Sequence, residues 1–429
     1  MNLGGSKINT PKKKDLIAST GLVLSFAGVT CMGVVKGLIG SNVRILSTVI
    51  VIVSVVLMLK GINFGYIVVP TADAGLIFLY SIMSLVMCLF SHHSWMANGY
   101  GFVFQAAAFV QLVLLWNYDT SQDMDCYVEV GFWFCGIACT LMLLLLLSTG
   151  SLFINSFISK SGEELFNRST VGAVSFVSFA MSLAYIPKTA FKRQIRLIFL
   201  VISIVVILAS SRRGVYIASI ACAFLHLRNS KGERSEYIDM ERALKKLVVG
   251  GIGVIAFATI YSKSPDMQEF LGHSLDSLVN GLMTFLGMGG TDMAASMRVA
   301  SSSSVLNNYF YNSNVKQILF GRGYMTTWVD MPFIQAFWDF GALGGITFAV
   351  CGFLIPVRYL VKKAETQGCR AAQYLTLKTV MDSVASGYPY GCFFNIVLMI
   401  VMFKAEEEAK ALTMRHQVRG RGGYEGRFY

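Results

Sequence analysis

Residues Val130–Leu147 read VGFWFCGIACTLMLLLLL and contain no charged side chain. A helix of about 20 apolar residues crosses the ~30 Å hydrocarbon core of a bilayer. The run ends at the polar residues Ser148, Thr149 and Gly150. This segment therefore predicts a membrane-spanning helix.

Runs of the same kind recur along most of the chain. Of its 429 residues, 55% are hydrophobic and 14% are charged, whereas soluble globular proteins have about 25% charged residues. The composition predicts an all-α integral membrane protein, in which residues 1–429 form a single membrane domain of about twelve transmembrane helices. The predicted spans are Leu16–Val35, Val43–Leu59, Ala74–Phe90, Tyr100–Trp116, Val130–Leu147, Thr170–Ile186, Leu197–Ala209, Val215–Leu227, Leu247–Tyr261, Phe333–Leu360, Tyr374–Ala385 and Cys392–Phe403.

Lysine and arginine predict the orientation of these spans. A cytoplasmic N-terminus places the cluster Lys188–Arg196 inside after six crossings, and the basic tail 404–429 inside after twelve, as the positive-inside rule requires. The net charge of +12 is then a topology signal. The Arg-Gly-rich end of the tail predicts a disordered segment near lipid headgroups, not a nucleic-acid site. Residues 262–332 are expected outside, as one large loop.

Cysteine and histidine do not form a metal-binding pattern. The nine cysteines include no Cys-x-x-Cys motif, and the five histidines are scattered. Cys135 and Cys139 lie one helical turn apart within a predicted span, where such residues are more often packing groups. We therefore expect neither a metal nor a cofactor.

The outer arginines are the first candidates for chemistry. Arg212 and Arg213 fall in the short turn between the seventh and eighth predicted spans, and outer turns seldom carry two basic residues. An arginine in the middle of the membrane costs roughly 2.5–3.5 kcal/mol, so these side chains either reach lipid phosphates or face an anionic ligand. Arg298 is the third candidate, with an ordinary solvated loop residue as its alternative.

The end of the predicted loop contains a turn and a carboxylate. Gly321 and Gly323 flank Arg322 and are expected to shape a turn whose backbone amides can cradle a phosphate. Asp330 precedes the next predicted helix, where an aspartate either caps the helix or serves as a general base. Gly341 allows close contact within that helix.

Taken in their order along the chain, the arginine and glycine motifs resemble those of the O-antigen polymerase and O-antigen ligase superfamily of bacterial membrane enzymes. Ligases of this superfamily carry a His-Asn pair eleven residues before the glycine that Gly341 matches, and this chain has Asp330 and Met331 there. A polymerase is therefore favoured over a ligase. The resemblance covers about Leu197–Leu360 and rests on Ser211–Gly214, Arg298, Gly321 and Gly323, and Gly341 with Gly344.

The resemblance implies a metal-independent glycosyltransferase of the bacterial inner membrane. Such an enzyme moves a growing glycan from polyprenyl pyrophosphate to a hydroxyl of another lipid-linked repeat unit at the periplasmic face. Arg212, Arg213 and Arg298 would bind the pyrophosphate, and Asp330 would be the catalytic base. Its partners would be the lipid-linked oligosaccharide and membrane lipid, with a chain-length regulator and a flippase as candidate partner proteins.

A ligase and a lipid-linked oligosaccharide flippase or transporter are the alternatives. A transporter often has internal repeats and charged residues within its spans. The sequence shows no repeat, and few charges fall inside predicted spans: Asp339, Arg358, Lys378 and Asp382, with Arg44 at the edge of the second span.

Overall fold

The computed structural model of this chain is predominantly helical over the residues that it describes. The described residues are 13–39, 44–61, 69–89, 100–118, 126–149, 168–230, 293–324, 326–327, 329, 331–385 and 393–422, with 265, 268–269, 272, 276, 279–281, 283–284 and 288–289 in the long segment. No β-strand occurs among them. The predicted all-α membrane protein is thus confirmed as a fold class.

Fifteen α-helices are defined within these ranges, in two places joined by a π-helical turn. A π-helical turn at Leu24–Gly28 joins α1 to α2, and one at Val350–Leu354 joins α12 to α13. The helices are α1 Lys13–Val23, α2 Val29–Ile39, α3 Arg44–Met58, α4 Ala72–Leu89, α5 Tyr100–Trp116, α6 Cys126–Ser148, α7 Arg168–Ala184, α8 Ala190–Ser210, α9 Arg213–Ser230, α10 Met293–Tyr311, α11 Val315–Phe320, α12 Pro332–Ala349, α13 Ile355–Leu360, α14 Gln367–Ala385 and α15 Phe394–Gly422.

Five helical stretches of the described chain are long and apolar enough to cross a membrane. They are Asp15–Val35, Ala72–Leu89, Cys126–Ser148, Ala190–Ser210 and Pro332–Leu360. Shorter apolar helices occupy Leu46–Gly61, Gln105–Trp116 and Arg168–Ala184. The predicted span Leu247–Tyr261 lies outside the described residues, so the number twelve stays a prediction.

One end of the bundle, which we name the Leu360 end, is fastened by charged side chains. The Arg228 guanidinium donates hydrogen bonds to the backbone carbonyls of Leu360 (2.8 Å) and Lys362 (2.7 Å). Arg358 pairs with Asp73 at 3.2 Å. These contacts fix the end of α13 against the end of α9 and the start of α4.

The opposite end, the Arg212 end, carries the turn between α8 and α9 and the long segment. There the Gln105 amide donates to the Tyr324 hydroxyl at 3.2 Å. Contacts at the two ends show that the described helices alternate in direction. The α1–α2 pair, α4, α6, α8 and α14 run toward the Arg212 end, and α3, α5, α7, α9, α12–α13 and α15 run toward the Leu360 end.

Most of the basic tail continues the last helix of the bundle. Helix α15 continues from Phe394 to Gly422, and only 423–429 of the tail lie outside the described residues. Its sequence after Lys404, KAEEEAKAL, is rich in strong helix formers. Lys410 pairs with Glu406 one turn away at 3.1 Å, which adds local support to the helix.

Candidate functional site

The turn between α8 and α9 has a constrained backbone. Ser211, which follows α8, has φ +49° and is the one non-glycine residue with a positive φ among those described. Its amide donates to the carbonyl of Leu208 at 3.2 Å, and the Tyr216 hydroxyl donates to the same carbonyl at 2.8 Å. This conformation places Arg212 between two helices and Arg213 at the first position of α9.

Arg212 lies beside a charged pair that the sequence left without a role. Lys378 and Asp382, one turn apart on α14, form an ion pair at 2.5 Å. Arg212 interacts electrostatically with the Asp382 carboxylate. The last turns of α14 therefore place one carboxylate and one ammonium group next to the arginine turn. Spacing within α14 predicts the pair, but nothing in the sequence predicts its approach to Arg212.

Arg213 contacts the long segment. A β-carbon built on Gly281 would lie 1.8 Å from Nη1 of Arg213 and 2.5 Å from its Cζ. The guanidinium therefore rests directly on the backbone at Gly281, which a side chain would obstruct. This contact brings the arginine turn and the long segment together at the Arg212 end.

Arg298 lies on a different element. It is half-buried on α10, which packs against α12. A site containing all three arginines remains a prediction.

Asp330, the predicted base, falls outside the described residues. The helix that follows it begins at Pro332, and its N-cap residue is Met331, which makes no side-chain capping hydrogen bond. The start of α12 thus agrees with the expected helix boundary. The capping and catalytic alternatives for Asp330 both stay open.

Gly321 and Gly341 form a backbone joint between the long segment and α12. Both have positive φ, +81° and +70°, and Gly341 interrupts the helical geometry of α12. A β-carbon on Gly321 would lie 2.2 Å from the carbonyl oxygen of Asp339, and one on Gly341 would lie 2.4 Å from the carbonyl carbon of Leu319. Two chains can approach this closely only where neither residue carries a side chain.

The amides of this turn are already used within the protein. Gly321 donates to the carbonyl of Gln317 (2.8 Å), Arg322 to Trp338 (2.8 Å), and Gly323 to Asp339 (3.2 Å). Because each amide has a carbonyl partner, the phosphate cradle expected at these residues is filled by the chain itself. Gly321 and Gly323 shape the turn and leave none of these amides for an anion.

Arg322 fastens the same turn to α10. Its guanidinium donates to the carbonyls of Asn308 (3.1 Å) and Asn312 (2.8 Å) and to the Ser313 hydroxyl (2.9 Å). It also lies 4.6 Å from the centroid of the Trp338 ring. A cation at the C-terminal end of a helix interacts favourably with its dipole. Arg322 therefore joins α10, the turn and α12 into one unit.

Gln335 connects the next residues of the segment to a buried carboxylate. Its Nε2 donates to the Asp339 carboxylate (2.9 Å) and to the carbonyl of Thr327 (2.8 Å), while its Oε1 accepts from the amide of Val329 (2.6 Å). Gln335 is 1% exposed and Asp339 is fully buried. The sequence predicts that Asp339 lies in a span, but it does not predict the hydrogen bond from Gln335 to the buried carboxylate.

No metal-binding cluster coincides with these residues in the part of the chain that the structure describes. Within the described ranges, no three His, Cys, Asp or Glu side chains are positioned to hold a metal ion. A cavity of about 160 Å³ lies deeper in the bundle, lined by Ser25, Thr30, Ser81, Gln105 and Gln111 among others. None of the predicted site residues lines it.

The resemblance to known membrane enzymes rests on the sequence motifs alone. The chain matches no protein-family model and no curated protein.

Proposed function

We propose that this chain is a polysaccharide repeat-unit polymerase of the bacterial inner membrane. It would transfer a growing glycan from polyprenyl pyrophosphate to a hydroxyl of another lipid-linked repeat unit at the periplasmic face. One observation carries the proposal: the Arg213 guanidinium rests on Gly281, so the paired arginines and the long segment meet at one end of the bundle.

The alternation of the helices supports the topology of this proposal. With Leu247–Tyr261 added as a twelfth span, both termini lie at the Leu360 end and residues 262–332 lie at the Arg212 end. The Leu360 end carries the basic cluster Lys188–Arg196, which begins just before α8 and continues into its first turns, together with Arg228, Lys362 and Lys363. A cytoplasmic Leu360 end accords with the positive-inside rule.

The proposed glycosyl transfer requires stabilisation of the leaving pyrophosphate and removal of the proton from the acceptor hydroxyl. The acceptor hydroxyl oxygen forms a bond to C1 of the sugar as the bond from C1 to the pyrophosphate oxygen breaks. The leaving pyrophosphate takes the electron pair, and the hydroxyl proton passes to a base, for which Asp330 is the candidate. Arg212, Arg213 and Arg298 would bind the pyrophosphate, since guanidinium groups meet phosphate oxygens with paired hydrogen bonds.

The test is polymer synthesis by the purified protein in liposomes containing polyprenyl-linked repeat units. A polymerase yields a ladder of longer lipid-linked products. A ligase transfers glycan only when its own acceptor is added, and a flippase never makes a longer product. Absence of a ladder under conditions that support binding of the repeat unit would remove the proposal.

A matched pair of glycine variants tests the observation that carries it. Gly281→Ala puts a methyl group where the Arg213 guanidinium lies, whereas Gly272→Ala, in the same segment, meets no atom within 4 Å. Because a flexible side chain can move aside, stability should change little in both. Removing a preorganised donor to the reacting oxygens typically costs about 10²–10³ in rate, so Gly281→Ala should lose nearly as much activity as we expect for Arg213→Ala. Equal rates for the two glycine variants would contradict this placement.

A further inference from the structure

Two helices give the height of the turn Leu319–Tyr324 above the Arg358–Asp73 ion pair. From Arg358 to Gly341, which touches Leu319, α12–α13 rises through 17 residues, or about 26 Å at ~1.5 Å per residue. From Asp73, the ion partner of Arg358, to Cys88, which hydrogen bonds with Tyr324, α4 rises through 15 residues, or about 22 Å. Both heights are smaller than the ~30 Å hydrocarbon thickness of a bilayer.

The turn also meets the chemical requirement of that depth. Irregular backbone is tolerated within a membrane only where its polar groups are satisfied internally, and the amides of Gly321, Arg322 and Gly323 all donate to carbonyls. The partly exposed Arg322 side chain donates to two carbonyls and a hydroxyl and lies against the Trp338 ring. A water-exposed loop has no need for such pairing of its backbone amides.

Helix α11, immediately before the turn, has an apolar outer face. Val315 is 73% exposed, Phe320 57% and Leu319 42%. On its inner side, Ile318 packs against the cluster containing Val305 and Trp338, and its carbonyl accepts from the Tyr309 hydroxyl. Lys316 is exposed among the apolar residues, where its long side chain can reach headgroups.

We propose that α11 and the turn through Tyr324 are embedded in the leaflet at the Arg212 end, with Val315, Leu319 and Phe320 in contact with lipid. The occupant of this face is the headgroup and acyl-chain boundary of the bilayer. It continues the exposed apolar surface that Leu343 and Ile346 present on α12 just beyond the joint. The long segment is then partly a membrane-embedded structure and only partly a loop in water. This inference does not depend on the enzymatic proposal.

Site-specific labelling tests this placement in liposomes. The described native cysteines are all buried, so a cysteine introduced at an exposed position should react preferentially with an environment-sensitive fluorophore. The test variants are Leu319→Cys and Phe320→Cys. The control is Ser304→Cys, on the exposed surface of α10, and wild-type protein gives the background labelling.

Quenching by brominated lipids and by aqueous iodide separates the outcomes. The labels at residues 319 and 320 should be quenched by lipid bromine and protected from iodide, at a depth of about 5–10 Å into the headgroup and acyl boundary. The label at residue 304 should show the reverse. Equal access of iodide to all three labels would overturn the proposal. So would protection of residues 319 and 320 from both quenchers, which would place a second copy or another protein on this face.

Discussion

Alanine at Gly321 should destabilise the protein by about 3–5 kcal/mol. Gly321 combines φ +81° with ψ −178°, a backbone conformation essentially restricted to glycine, and holding another residue there costs about 1–3 kcal/mol. The new β-carbon would also lie 2.2 Å from the carbonyl oxygen of Asp339. Relief of this overlap separates the turn from α12 and breaks the hydrogen bonds from Arg322 to Trp338 and from Gly323 to Asp339, each worth about 1 kcal/mol net.

Reversible unfolding in mixed micelles measures this cost. Gly341→Ala should be destabilised to a similar extent, because its β-carbon meets the backbone of Leu319 at 2.4 Å. The double variant should cost less than the two single costs combined, since both substitutions break one contact. Gly75→Ala is the control: its β-carbon meets no atom within 4 Å, and removing a helix glycine gains roughly 0.5–1 kcal/mol. If Gly321→Ala were as stable as the wild-type protein, the close backbone contact between Gly321 and α12 would be refuted.

Three further predictions concern buried polar groups. Gln335→Leu leaves the Val329 amide and a buried carboxylate without this partner and should cost about 2–6 kcal/mol in the same unfolding assay, at ~1–3 kcal/mol for each group. Arg322→Lys loses the planar fork that reaches two carbonyls and a hydroxyl and should cost roughly 1.5–3 kcal/mol, whereas the exposed Lys316→Ala should change stability by less than about 0.5 kcal/mol. Burial raises the pKa of Glu406, but hydrogen bonds from Cys369, the Thr366 amide and Lys410 outweigh this effect and hold the pKa below its ordinary 4.5. The ionised Glu406 therefore stabilises the folded protein above pH 4.5, and this contribution is lost as the pH falls through the lowered pKa. The melting temperature should consequently fall less steeply in acid for Glu406→Gln than for the wild-type protein.

The sequence predicts the helices well because a membrane imposes a simple requirement on them. A span needs a long apolar run, and runs such as Val130–Leu147 lie within described helices, here α6. The helix through the tail from Lys404 was not predicted, although the sequence KAEEEAKAL is rich in strong helix formers and α15 continues through it.

Contacts between distant parts of the chain at the candidate site could not be predicted from the sequence pattern. Gly321 and Gly341 were predicted as separate features, a turn and a helix contact, yet they are two halves of one joint. Their partnership depends on the kink at Gly341, which frees the carbonyls of Trp338 and Asp339 for the turn. Local sequence propensities do not predict a contact between a turn and the middle of the helix that follows it. The approach of Arg212 to Asp382 on α14 depends in the same way on the packing of distant helices.

Among its described residues, the long segment contacts the bundle at Gly281 and at Gly321. Arg213 of α9 holds it at Gly281, and Gly341 of α12 holds it at Gly321. Arg322 ties α10 to the second of these places, so Arg298 moves with α12 while Arg213 belongs to α9. An anion bound by both Arg213 and Arg298 would thus bridge two structural units. The joint at Gly321 then sets the distance between the two cations, so a variant there should weaken anion binding even under conditions where the protein remains folded.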